Sequence, residues 1–210
     1  MPQIFIKHNG PSQLYVWHIT ETLPQLKSIL DYKNMSEVNK FTSIVHQKQY
    51  LAKQILLQNN RLIEKLDYLP TGKPVLSNGQ YISISHSGMF VVVAVSSQPV
   101  GIDLEARNAK LLKISSRFKH PDDVIPVLSD EISRLQYLWT AKESVYKLAG
   151  IPGLNLKNDI RLTAFSKNND TGMALLKNHQ KIKLFFNKLP NNFLHCQAYF
   201  SIDFNPIMII

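Results

Sequence analysis

Three short stretches of this chain gather residue types that handle phosphate, protons and hard cations. In Val100-Gly101-Ile102-Asp103-Leu104-Glu105, a strand puts Val100, Ile102 and Leu104 on one face and Gly101, Asp103 and Glu105 on the other. The two carboxylates then project side by side about 7 Å apart along the strand, where their repulsion calls for solvent or a cation. A magnesium ion is one answer, because it takes oxygen ligands from a few carboxylates, waters and phosphates. A solvated sheet edge is the other.

The second stretch is Leu138-Trp139-Thr140-Ala141-Lys142-Glu143-Ser144-Val145-Tyr146-Lys147-Leu148. Its apolar spacing predicts a helix with Leu138, Ala141, Val145 and Leu148 as the core stripe. Trp139, Glu143 and Lys147 fall on a neighbouring stripe, so Glu143 and Lys147 point the same way. That pair is either an ordinary surface ion pair or a third carboxylate and an ammonium for a metal and a phosphate. The third stretch, Ser83-Ile84-Ser85-His86-Ser87-Gly88, places hydroxyls and an imidazole at a strand end, where they can donate to phosphate or simply satisfy a loop. A serine-protease reading is poor, because the Gly-x-Ser-x-Gly turn is missing and adjacent Ser and His on a strand point to opposite faces.

The elements that carry these stretches follow from pattern. Apolar runs around Asn9-Gly10-Pro11 predict a pair of strands within residues 3–19. Phe41, Ile44, Val45, Ala52, Ile55, Leu56 and Ile63 predict a long helix from Ser36, its cap, to about Leu66. Turns at Leu69-Pro70-Thr71-Gly72-Lys73-Pro74 and Ser77-Asn78-Gly79 introduce strands at Tyr81–Ser85, Met89–Val95 and Val100–Glu105, with Ser87-Gly88 at a hairpin corner. A second long helix runs from Ser129 to Leu148 and ends at Ala149-Gly150. Residues 160–210 read as short strands, the apolar ending Ile207-Met208-Ile209-Ile210 among them. The order of elements, strand, helix, strands, then helix, strands, suggests two similar α/β halves meeting near residues 97–102.

The 210-residue chain is 44% hydrophobic and 19% charged, which is ordinary for a globular protein and too apolar for a disordered chain. Its longest apolar stretch, Met89–Val95, falls far short of the roughly 20 residues of a spanning helix. With no signal-peptide layout and one cysteine, Cys196, it reads as cytoplasmic, without a disulfide or a cysteine-based zinc site. The formal charge of +9 favours an anionic partner. Scattered basic residues and the lack of any nucleic-acid-binding signature argue against nucleic acid.

In order and spacing, Gly72-Lys73-Pro74, Ser85-His86-Ser87, Gly101-Ile102-Asp103-Leu104-Glu105 and Trp139-Thr140-Ala141-Lys142-Glu143-Ser144-Val145-Tyr146-Lys147 resemble the motifs of the 4′-phosphopantetheinyl transferases of the surfactin-synthetase-activating (Sfp) type. The motifs cover residues 72–147. The resemblance implies two pseudo-twofold-related α/β subdomains, 1–99 contacting coenzyme A and carrier and 100–210 holding the magnesium site, with coenzyme A in the cleft between them. It implies a monomer with no membrane association. The implied activity transfers the phosphopantetheine arm of coenzyme A to a serine of an acidic acyl or peptidyl carrier protein.

By the same resemblance, Asp103, Glu105 and Glu143 hold Mg²⁺, with Mn²⁺ as an alternative, and Lys73, Ser85, His86, Lys142 and Lys147 contact phosphates. Glu143, Asp123 or a metal-bound water takes the serine proton, Asp123 being the nearest counterpart of a glutamate that follows an Arg-Phe-Phe segment in relatives. Gln49, Gln54 and Gln58 stand where relatives carry arginines for the 3′-phosphate end; Lys48, Lys53 or His46 could substitute. Those glutamines support a rival reading, a degenerate relative that binds coenzyme A or a carrier without turnover. A metal-dependent nuclease or RNA-binding protein is the unrelated rival.

Overall fold

A computed structural model describes residues 3–9, 12–30 and 35–201. The strand expected at Ile207–Ile210 lies outside them. The chain divides into two compact units, Met1–Gln98 and Pro99–Ile210. Both are mixed α/β. No described helix is long and apolar enough to cross a membrane.

In the first unit, β1 (Gln3–Asn9) pairs antiparallel with β2 (Ser12–His18). Two short helices follow, α1 (Leu23–Ile29) and α2 (Met35–Val38), and then the long α3 (Ile44–Asn59). A small hairpin, β3 (Leu66–Tyr68) with β4 (Pro74–Leu76), precedes β5 (Tyr81–Ser87) and β6 (Phe90–Ser96). The four-stranded sheet has the order β1-β2-β6-β5. Leu51, Ala52, Ile55 and Leu56 of α3 share a core with Trp17, Val91 and Val93 of the sheet.

The single helix expected from Ser36 to Leu66 is broken. Ser43, in extended backbone at φ −82° and ψ 125°, starts α3 anew. The apolar residues read as the beginning of its core stripe do not enter the core: Ile44 is 62% exposed, and Phe41 and Val45 are exposed too. The pattern therefore joined a surface patch to a true stripe that begins only at Leu51. At the other end Asn60 Nδ2 donates to Leu56 O at 2.7 Å and Arg61 turns to a φ of +53°, which closes α3 well before Leu66.

The second unit opens with β7 (Val100–Ala106) and the short α4 (Lys110–Ile114). Helix α5 (Glu131–Ala149) starts at Asp130, whose side chain accepts from Ser133 N–H, and Gly150 caps its end. Strands β8 (Ile160–Phe165), β9 (Thr171–Leu176), β10 (Gln180–Leu189) and β11 (Phe193–Phe200) complete a five-stranded sheet in the order β7-β11-β10-β9-β8. The expected stripe on α5, Leu138, Ala141, Val145 and Leu148, lies in the core with Leu194, Cys196 and Ala198 of β11.

Gly101 decides how closely α5 lies on β7. A Cβ there would stand 2.0 Å from Ser144 O and 2.5 Å from Leu148 N, inside the helix backbone. Only glycine admits the contact, and it brings the second half of α5 against the strand face that bears Asp103 and Glu105.

Candidate functional site

Opposite Asp103, Glu105 and Gly101 in the β7–β11 register stand Cys196, Leu194 and Ala198, all in the core under α5. The two carboxylates therefore share the helix-covered face, as the alternation of the strand predicts. Lys147, one turn after Glu143 on α5, reaches Asp103: its Nζ lies 2.7 Å from Oδ1. Asp103 is buried, while Glu105, Glu143 and Lys147 are half-buried.

The electrostatics of this group are unbalanced. Burial pushes the Glu105 carboxyl up to about 7, and the charges of Asp103 and Glu143 push the same way; Lys147 and a hydrogen bond from Trp139 oppose the rise. Glu143 is also pushed up to about 7, first by burial and then by Asp103, against the pull of Lys147. Three carboxylates face one ammonium, so two negative charges remain when all are ionised. Trp139 is itself held edge-on against Phe118, with ring centroids 5.1 Å apart. Its indole thus arrives at Glu105 from a packed position.

As they stand, no three His, Cys, Asp or Glu side chains among the described residues are gathered closely enough to hold a metal ion. The donor chemistry nonetheless suits a hard divalent cation: oxygen ligands only, partial desolvation and two uncompensated charges.

Lys142 and Asp123 are placed otherwise than expected. The Lys142 Nζ lies 2.7 Å from Asp123 Oδ2, and both side chains are 0% exposed. The ammonium also donates to Ile160 O at 2.8 Å, and Asp123 accepts from His120 N–H and Leu162 N–H, at 2.8 and 2.9 Å. Burial pulls the Lys142 pKa down, with Asp123 acting against it. Every oxygen of Asp123 is committed to ordering the loop and β8. Its placement argues against a proton-accepting role, and that of Lys142 against phosphate contact; the pair is a buried brace between α5, the loop before it and β8.

In the first unit, Lys73 sits in the β3–β4 turn, where its carbonyl accepts from Leu69 N–H, and burial lowers its pKa. Ser85 and His86 fall on opposite faces of β5, Ser85 buried and His86 exposed. Lys48 is half-buried on α3 and His46 exposed. Gln49, expected to stand in place of a coenzyme A-binding arginine, is buried and donates from Nε2 to Gly88 O at 2.8 Å.

A feature that sequence reasoning gave little weight is Lys53. Its ammonium lies 4.9 Å from the Tyr50 ring centroid and 5.9 Å from that of Tyr68, and burial lowers its pKa. The three-residue spacing of Tyr50 and Lys53 on a helix was the available signal; Tyr68, from the β3–β4 hairpin, gave none.

No family model matches the chain. Among curated proteins it is similar to the 4′-phosphopantetheinyl transferase psf-1 of Bacillus pumilus, 29% identical over 144 residues, 61% of each chain. It is similar to the 4′-phosphopantetheinyl transferase gsp of Aneurinibacillus migulanus, 36% identical over 108 residues, which are 49% of this chain and 44% of that one. With the 4′-phosphopantetheinyl transferase Sfp of Bacillus subtilis (strain 168) it shares 35% identity over 94 residues, 42% of each. The matches thus span between 42% and 61% of these relatives' lengths. Over the stretches they share, the chain is a sequence relative of the Sfp-type 4′-phosphopantetheinyl transferases.

Proposed function

We propose that this protein transfers the 4′-phosphopantetheine arm of coenzyme A to a serine of an acyl or peptidyl carrier protein, with adenosine 3′,5′-bisphosphate as the leaving product. The observation that carries the reading is the cluster of Asp103, Glu105, Glu143 and Lys147, where two carboxyls titrate near neutrality beside a positioned ammonium. The names of the relatives supply the reaction class.

In this reading the serine oxygen attacks the phosphorus that bears the pantetheine arm. An O–P bond forms, the bond to the bridging pyrophosphate oxygen breaks, and that oxygen leaves with the adenosine bisphosphate. A carboxylate oxygen of Glu143 takes the serine proton. The Lys147 ammonium, steered by Asp103, meets the charge that develops on the phosphoryl oxygens. Asp103, Glu105 and Glu143 would hold Mg²⁺ or Mn²⁺, which when bound supplies charge neutralisation for the pyrophosphate. Trp139 orients Glu105. Lys73, Ser85, His86 and Lys48 are assigned to coenzyme A, with Lys53 joining them as a cation held by two tyrosine rings.

Both substrates are anionic, and the +9 charge favours their approach. We further read each unit, one long helix against one antiparallel sheet, as a version of the same α/β half, and the protein as a cytoplasmic monomer. The testing experiment is the intact mass of a purified apo acyl carrier protein after incubation with coenzyme A, Mg²⁺ and this protein. A gain of one phosphopantetheine that disappears with Glu143→Ala is the expected result. Coenzyme A binding without any gain on several carriers would leave a non-catalytic binder, and no binding at all would overturn the reading.

A further inference from the structure

The hairpin between β5 and β6 carries His86 and Ser87 into a two-residue loop, Gly88-Met89. Gly88 takes a φ of +52° at the first loop position, a conformation that suits glycine and fits the right-handed twist of the flanking strands. Both loop carbonyls are pinned from outside the hairpin. The Met89 carbonyl accepts from Ile19 N–H at 2.7 Å, and the Gly88 carbonyl accepts from Gln49 Nε2 at 2.8 Å. The first pin is backbone, at the end of β2. The second is a side chain reaching across from α3. The first residue after the loop is held as well, with the Phe90 ring stacked on His18 at 4.4 Å and an interplanar angle of 8°.

Gln49 is an unexpected residue for a merely structural position. It is 4% exposed on a helix face otherwise given to Leu51, Ala52, Ile55 and Leu56. Its Oε1 is buried without a hydrogen-bond partner among the described residues. An aliphatic side chain would spare that acceptor its desolvation, so the retained amide has to be explained by what its donor does. The donor meets the Gly88 carbonyl, and a neutral amide meets a carbonyl without bringing charge into the core.

We propose that Gln49 is a positioning residue that fixes the β5–β6 loop, and through it the placement of Ser85, His86 and Ser87, for an anionic ligand. The part that names coenzyme A as the ligand rests on the function proposed above; the fixing of the loop does not. Gln49→Met keeps the length of the side chain but has no N–H to donate toward the Gly88 carbonyl. Gln49→Ala removes donor and acceptor together.

The test has two arms. Amide hydrogen exchange on the metal-free, ligand-free protein reads the loop alone, and titration with coenzyme A, together with KM and kcat where turnover is seen, reads the consequence. Both variants should melt within a few degrees of the parent and exchange faster at residues 85–90, leaving β7 and α5 unchanged. Both should bind coenzyme A about tenfold more weakly, the size expected for one lost hydrogen bond at a buried site, and raise KM more than they lower kcat. Unchanged exchange at the loop in both variants would overturn the positioning role. Faster exchange with unchanged coenzyme A affinity would overturn the link to the ligand. A parent protein that binds no coenzyme A would sink the proposed function while the exchange arm still decided the role of Gln49.

Discussion

Helix α5 carries two lysine–aspartate pairs of equal length, and they do different things. Lys142–Asp123 and Lys147–Asp103 both close at 2.7 Å. The first is wholly withdrawn from water and every Asp123 oxygen has a protein donor. The second is partly open, and two further carboxylates with raised pKa values stand beside it. Distance therefore separates neither role. A pair with its charge balanced and its valences filled is a brace, whereas a pair embedded in surplus negative charge is poised to accept a cation.

Breaking the brace should have the largest effect. Asp123→Ala leaves the Lys142 ammonium buried without its counter-ion and should cost about 3–5 kcal/mol. Chemical denaturation of the variant reads this as a lower midpoint. The double variant Asp123→Leu with Lys142→Met should recover much of the loss, since two apolar side chains need no counter-charge. A single variant as stable as the parent would show that the pair is more hydrated than its burial says.

The contact that serves both pairs comes next. In Gly101→Ala the added methyl enters the α5 backbone at Ser144 and Leu148, and pushing the helix away should cost about 3 kcal/mol. The same shift should loosen Lys147 from Asp103, so activity should fall further than stability alone explains. Equal losses in both would mean that α5 moves as a rigid whole without disturbing the cluster.

Removing Glu143 should sharpen the contrast in the opposite sense. Glu143→Ala takes away a carboxylate that burial and Asp103 already disfavour. Its melting temperature at pH 8 should equal or exceed that of the parent, while transfer to a carrier protein falls by about 10²-fold or more, the size of a lost catalytic group. Loss of activity together with a lower melting temperature would make Glu143 a structural residue like Lys142.

The two pairs also mark what the chain discloses by itself. Asp103 and Glu105 were legible because a period of two is local, and Glu143 with Lys147 because a helical turn is local. Lys142 was not. It sits between Leu138 and Val145 on the buried side of α5, yet its residue type reads as surface, and its partner comes from a loop that no spacing rule connects to the helix. The start of α3 failed for a similar reason: Ile44 and Val45 continue the apolar period, and only the extended backbone of Ser43 shows that the chain there follows a different course. Gln49 was read as a missing arginine because its acceptor, the Gly88 carbonyl, is backbone and leaves no mark in the sequence.

The smallest effect predicted is one of pH. Glu105 and Glu143 titrate at about 7 in the folded protein, against an ordinary glutamate value of 4.5. Between those values the folded chain holds protons that the unfolded chain has released, so its stability falls as pH rises through the window. Below 4.5 both states are protonated and the contribution is complete; above about 7 it is lost. The two carboxyls repel each other and are half-buried, so together they should account for about 2 kcal/mol rather than the sum of two isolated shifts. Denaturant midpoints between pH 5 and pH 8 read this directly in metal-free protein, and Glu143→Ala should flatten the slope. The apolar double variant of the brace leaves Glu105 and Glu143 in place, so the part of the slope that they cause should survive in it. With Mg²⁺ added the fall toward pH 8 should shrink, since a cation that occupies the cluster favours the ionised carboxylates. A fall that Mg²⁺ leaves untouched would separate the surplus charge from cation binding and return the cluster to the same standing as the buried pair.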